Sequence, residues 1–250
     1  MALAKRVIPT LLIRGQNLVK GIRFDSWRVV GHPMQAARIH AARGVDELII
    51  LDISATPEGR GPDFAMVEKL SECGFTPLTV GGGVRSVEDV RRLLRAGADK
   101  VAIGTGAYTV PDLVYDCAEY FGNQCIVLSI DVMGGNTVMT HCGKHGYNHS
   151  PQYTAEWAAK HGAGEILLTS IDREGTLHGY DLELIRAVSQ AVDIPVIGHG
   201  GAGTYEHMRE AIEAGADAVA AGAMFQFTDQ TPRGAAEYLA GHGIETRIPA

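Results

Sequence analysis

The feature that most constrains the fold is an internal repeat. The segment PLTVGGGVRSVEDVRRLLRAGADKVAIG begins at Pro77. It aligns without a gap on PVIGHGGAGTYEHMREAIEAGADAVAAG, which begins 118 residues later at Pro195. The two share a Gly pair, an early Glu, an Arg, the AGAD ending and a final Gly. The same offset carries ELIIL at Glu47 onto EILLT at Glu165, and one residue more carries VIPTLL at Val7 onto IVLSID at Ile126. Whatever the first half of the chain builds, the second half builds again. In this register Leu12 stands opposite Asp131.

The repeated unit alternates a short apolar run with a longer amphipathic one. Strands are predicted at 7–13, 48–52, 77–80, 100–104, 126–131, 166–169, 195–198 and 218–221. Between them lie stretches of helical spacing such as SVEDVRRLLRAGA and TYEHMREAIEAGA. Each opens on Ser or Thr with an acid two residues later, an N-cap with negative charge in the first turn. Strict alternation implies parallel strands joined by right-handed crossovers. Eight units in 250 residues fit an α/β chain folded as a closed (β/α)8 TIM barrel. It is expected to be a single domain of two half-barrels, about 1–122 and 123–250.

Composition narrows the class. The chain is 46% hydrophobic, enough for one large core, and its net charge of −7 comes with scattered basic residues. Nucleic acid is therefore not an expected partner. The longest apolar runs fall short of a membrane span, and the N-terminal run is too short for a signal peptide. The four cysteines show no CxxC pairing, Cys125 is expected to be buried, and a cytoplasmic protein without disulfides is the expectation.

In such barrels the loops after the strands form the reactive face. Each half places a glycine turn there: Gly82 and Gly83 before Ser86, Gly200 and Gly201 before Thr204. Glycine lets backbone amides approach a ligand, and a helix N-terminus adds orphan N–H donors. The strands that follow end in IGTG, with Gly104 and Thr105, and in AAGAM, with Ala223. Two pseudo-symmetric sites of this kind would grip a ligand carrying a phosphate at each end. Asp131 is the acid or base candidate, with a helix cap or a solvated loop aspartate as the plainer reading. The loop after strand six supplies Asp172 and Glu174 beside Gly175, with Asp181 as a helix cap; the loop after strand two supplies Asp52 and Ser54. At the opposite end, Arg6, Glu47, Lys100 and Glu165 each precede an apolar strand. They form either a salt-bridged plug or a gate on an axial passage. The loop THCGKHGYNH brings His141, Cys142, His145 and His149 together at spacings that zinc accepts. It is irregular and rich in Gly and Asn, and no metal or cofactor is assigned.

The stretches KRVIP, VDELIILDISAT, TVGGGVRSVEDVRRLLRAGADKV, AGEILLTSIDREGTLHGYDLELIRAVS and IPVIGHGGAG resemble the cyclase subunit of imidazole glycerol phosphate synthase, the HisF family. The resemblance runs from end to end. It implies a glutaminase partner at the N-terminal barrel face, with Asp99 at that interface and the four-residue ring as an ammonia gate. It also implies a phosphorylated small-molecule substrate near Lys20, Asp52 and Glu174, held at the two phosphate sites, with Gly175 in the second. The departures are as informative. The family's strand-one aspartate is Leu12, its Asn in the first phosphate strand is Gly104, its Ser before the second Gly pair is His199, and its Asp before Gly175 is Glu174. This pattern resembles a paralogous branch that passes ammonia to a third protein, an amidotransferase acting on sugars. The alternatives are a histidine-pathway cyclase whose missing acid comes from Asp52 or Glu174, and a barrel isomerase of bisphosphorylated sugars.

Overall fold

The computed structural model describes residues 4–74 and 77–247. Its centre is a closed barrel of eight parallel strands: β1 (Arg6–Arg14), β4 (Leu48–Asp52), β5 (Leu78–Gly81), β6 (Lys100–Ile103), β7 (Ile126–Met133), β10 (Glu165–Ser170), β11 (Val196–His199) and β12 (Ala218–Ala221). Each pairs with the next, β12 returns to β1, and β7 pairs with β10 to complete the ring. The remaining strands are two antiparallel excursions at the C-terminal face. One is the hairpin β2 (Asn17–Ile22) and β3 (Asp25–Gly31), the other β8 (Thr137–Thr140) and β9 (His145–Gly146).

Helices return the chain on the outside: α1 (Pro33–Ala42), α2 (Phe64–Ser71), α3 (Val87–Arg95), α5 (Leu113–Phe121), α6 (Pro151–Lys160), α7 (Leu182–Ser189), α8 (Tyr205–Glu213) and α10 (Pro232–Gly241). Two short ones, α4 (Thr105–Thr109) and α9 (Ala223–Phe227), start directly after the fourth and eighth barrel strands. The caps follow the sequence: Ser86 accepts from Asp89 N, Thr204 from His207 N and Asp181 from Leu184 N. None of the helices is long and apolar enough to cross a membrane among the described residues.

The period of two along a strand sorts residues between two cores. Val7, Leu11, Leu128, Ile166 and Ile185 belong to the layer between barrel and helices, which holds most of the buried apolar surface. Ile8, Ile49, Ala102, Val127, Leu167, Ile197, Ala218 and Ala220 fill the barrel interior. The same parity then places charges below that plug and polar groups above it. On β10, Glu165 lies in the lower layer, Leu167 in the middle and Thr169 in the upper one.

Three expectations are corrected. The loop after strand five is expected to be irregular but forms a paired hairpin, as does the segment after strand one. Their register comes from contact with the barrel rim, where Leu12 pairs with Val19 and Asp131 with Met139. The strand expected to end at residue 104 stops at Ile103, because Gly104 turns into α4 as its N-cap. Cys125 is half-buried, since a turn of 3-10 helix lifts it off the start of β7.

Candidate functional site

A cleft opens at the C-terminal face over the barrel axis, with about 810 Å³ of atom-free space counting its mouth. It collects side chains from six barrel strands, each of which ends there with an inward residue. Leu12, Asp131, Thr169 and His199 all face it, with the first glycine grip on one wall and Phe24 and Trp27 of the first hairpin above. Leu12 is buried, so the position opposite Asp131 is an apolar wall.

The first glycine turn forms one wall of the cleft. Gly82, Gly83, Gly104 and Thr105 line one side of the cleft. Gly82 has φ +117°, and a Cβ there would overlap the backbone oxygen of Asp52, so the turn accepts glycine alone. The Thr105 hydroxyl already accepts a hydrogen bond from His141 N at 2.8 Å, which ties the second hairpin to this wall. His141 and Cys142 both hold positive φ there, a strained geometry for side-chain-bearing residues. The His141 and His145 rings meet edge to face, 4.9 Å between centroids, and the Cys142 thiol donates to Ile53 O at 3.3 Å. No group of three potential metal ligands converges among the described residues.

The second grip is narrower. Glu174, Gly175, Gly200, Gly201 and Ala223 line it together with His199 and Gly222. Lys20 reaches it from β2: a Cβ on Gly222 would collide with its Nζ. Lys20 is fully buried, and its ammonium finds no hydrogen-bond partner among the described residues. One carboxylate oxygen of Glu174 is likewise buried and unpartnered. Burial lowers the Lys20 pKa and raises that of Glu174, and the attraction between them opposes both shifts. Two buried opposite charges, neither hydrogen-bonded through these atoms, thus stand close enough at this turn to attract each other.

Asp131 sits beside Thr169 across the β7–β10 pairing. Burial raises its pKa to about 7, against the hydrogen bond from the Thr169 hydroxyl, with Glu174 adding repulsion. A carboxyl titrating near neutrality can both give and take a proton. Asp52 is differently placed. It lines the cleft, but Arg60 pairs with it at 2.7 Å and Ser54 and Ala55 donate to its other oxygen, so its carboxylate is held in place by an ion pair and three hydrogen bonds.

At the other end, Arg6 Nη1 binds Glu47 at 2.6 Å and its second nitrogen binds Glu165. Lys100 Nζ bridges the same two carboxylates at 3.1 and 2.8 Å. Thr79, not anticipated from sequence, donates to Glu47 at 2.6 Å. The ring is closed and neutral. Asp99 lies exposed at this end and accepts from Leu78 N at 2.8 Å, as Asp217 accepts from Val196 N at 3.2 Å in the second half.

Residues 6–231 match the family model described as histidine biosynthesis protein, nearly the whole chain. The chain belongs to that family. A histidine biosynthesis protein of this type is an enzyme built as a (β/α)8 barrel, an isomerase or a cyclase. In this chain most residues singled out by sequence fall into a cleft group, a second-grip group and a floor group, with Asp99 beside the floor, while Asp172 lies outside them and accepts from Gly134 N at 2.6 Å. Thr169, Ser129 and the hairpin aromatics Phe24 and Trp27 are the cleft residues that sequence reasoning missed. Thr169 was detectable as the polar end of an otherwise apolar strand; the aromatics carried no signal, because β3 is largely exposed.

Proposed function

We propose that this chain is the ammonia-using synthase subunit of a glutamine amidotransferase system. A separate glutaminase docks on the ring end, near Asp99. Ammonia enters past Arg6, Glu47, Lys100 and Glu165 and travels along the barrel axis to the cleft. The carrying observation is the layering of the barrel interior: a closed ring of four charges, then a wholly apolar layer, then a polar cleft. An isomerase that works on one substrate at one face has no use for that ring. A layer of Ile, Val, Leu and Ala is permissive for neutral ammonia and excludes ammonium, since a bare cation in such surroundings carries a large desolvation cost. The Gly82–Gly83 and Gly200–Gly201 turns hold phosphate groups of the acceptor, and Lys20 neutralises the second.

The acceptor is a phosphorylated small molecule, and amidination of a sugar-like metabolite fits the cleft better than the histidine-pathway cyclisation. Leu12 cannot transfer a proton or accept a hydrogen bond, so acid–base catalysis worth about 10²–10⁴-fold is absent at that wall. Asp52, an alternative acid for the cyclisation, is held by Arg60. The test is turnover of the histidine-pathway ribulosyl bisphosphate intermediate by the purified chain with excess ammonium at alkaline pH. We expect none from a well-folded sample, while glutaminase activity of a co-expressed partner rises on adding the chain. Rapid turnover would return the protein to the histidine-pathway cyclase reading. A chain that neither binds nor stimulates any glutaminase would overturn the amidotransferase assignment altogether.

A further inference from the structure

Three consecutive barrel strands bring together a carboxyl, a hydroxyl and an imidazole. Asp131 on β7 is the cross-strand partner of Thr169 on β10, and Thr169 is the cross-strand partner of His199 on β11. All three face the cleft, and His199 borders the second grip as well. The Thr169 Oγ1 to His199 Nδ1 distance is 3.2 Å. The Thr169 side chain also lies beside the Asp131 carboxyl across the β7–β10 pairing. A hydroxyl has one proton to give. If it goes to the Asp131 carboxylate, the oxygen must accept from Nδ1–H, and the tautomer so selected leaves the lone pair on Nε2. Among the described residues, Nε2 has no hydrogen-bond partner.

We propose that His199 is the proton-accepting residue of this cleft, oriented through Thr169 by Asp131, where Leu12 offers neither acid nor base. The inference rests on the ammonia-using reading. When ammonia adds to an electrophilic carbon of the acceptor, its lone pair forms the C–N bond and the π pair moves to the acceptor's oxygen. The nitrogen then carries one proton too many. Nε2 takes that proton and the imidazolium returns it to the oxygen, leaving His199 as it began. The groups facing the ring are Asp131 and Thr169 from β7 and β10, Glu174 from the following loop, and Lys20 from β2. Burial, with Lys20 adding to it, pushes the imidazole down to about 3, so the ring of the free protein is neutral and weakly basic. A phosphate seated beside Lys20 offsets that repulsion and raises the basicity of Nε2 once the acceptor is bound.

The test reads the imidazole directly and needs no acceptor. Nitrogen-15 NMR of the wild-type chain, with His199→Asn supplying the assignment, should show the Nδ1–H tautomer. Asp131→Asn and Thr169→Val should each shift the population toward Nε2–H. Diethyl pyrocarbonate followed by mass spectrometry should modify His199, at least ten-fold more slowly in Asp131→Asn. A wild-type Nε2–H tautomer, or one unchanged in both variants, overturns the proposal. So does a His199 that stays unmodified while exposed His178 and His242 react. None of these outcomes depends on whether ammonia reaches the cleft, so failure here is separable from failure of the amidotransferase reading.

Discussion

Glu47→Ala is the perturbation whose consequences follow most directly from the floor geometry. The Glu47 carboxylate is 1% exposed and accepts from Arg6 at 2.6 Å, Thr79 at 2.6 Å and Lys100 at 3.1 Å. Its removal leaves two cations facing Glu165 alone, so a neutral ring becomes a buried cluster of net charge +1. Deleting one member of a buried pair costs roughly 3–5 kcal/mol, most of it from the charge left behind. Arg6 and Lys100 each keep Glu165, and their side chains remain 25% and 19% exposed, which places the cost at the lower end. About 3 kcal/mol corresponds to a fall in Tm of roughly 6–12 °C for a chain of this size. That leaves the barrel folded at room temperature. The assay pairs calorimetry with the fraction of glutamine-derived ammonia that appears in product rather than in solution, and that fraction should drop. A Tm change under about 2 °C would refute the picture of an interdependent buried ring. A large Tm change with intact coupling would leave the ring as a plug and remove the gate from the proposal.

Three further outcomes are expected. Leu12→Asp places a second carboxyl in the cleft that holds Asp131; burial raises its pKa, so the variant should lose stability relative to wild type as pH rises from 4 to 7, measured by urea titration at each pH. His40, buried on α1 against Phe225, has its pKa lowered to about 4. The unfolded imidazole takes up a proton that the folded one refuses, so its contribution is complete above about pH 6.5 and falls as pH drops toward 4. It amounts to about 2.5 kcal/mol by pH 4.5, and His40→Leu should flatten that part of the stability profile. Gly21→Ala puts a methyl group into the Asp25 backbone oxygen and the Trp27 ring, and should distort the first hairpin. The expected signs are a shift in Trp27 emission and new proteolytic cleavage within residues 17–31; a native emission spectrum and protease resistance would contradict the packing.

The parts of this protein that repetition and period two describe were legible before any coordinates. Strands at 48–52 and 218–221 are found with the expected bounds, and Ser86, Thr204 and Asp181 cap the helices they precede. The charged floor was legible because a charge immediately before an apolar strand must sit at a barrel end. The hairpin over the cleft was not. β3 shows almost no buried face, and β2 hides Lys20 in the middle of a buried run, a burial that neither its charge nor its neighbours in the chain signal.

Sequence alone therefore determined the barrel, the strand ends that face the cleft, and an apolar residue at position 12 opposite Asp131. Those properties are local or periodic, and an internal repeat states them twice. Tertiary structure decided which strand ends meet. Asp131, Thr169 and His199 lie 30 residues or more apart and become neighbours only through strand register. Arg60 pairs with Asp52, and Lys20 is driven into the second grip, through side chains converging from different loops. Register and convergence are set by how the closed barrel packs, which no single segment encodes.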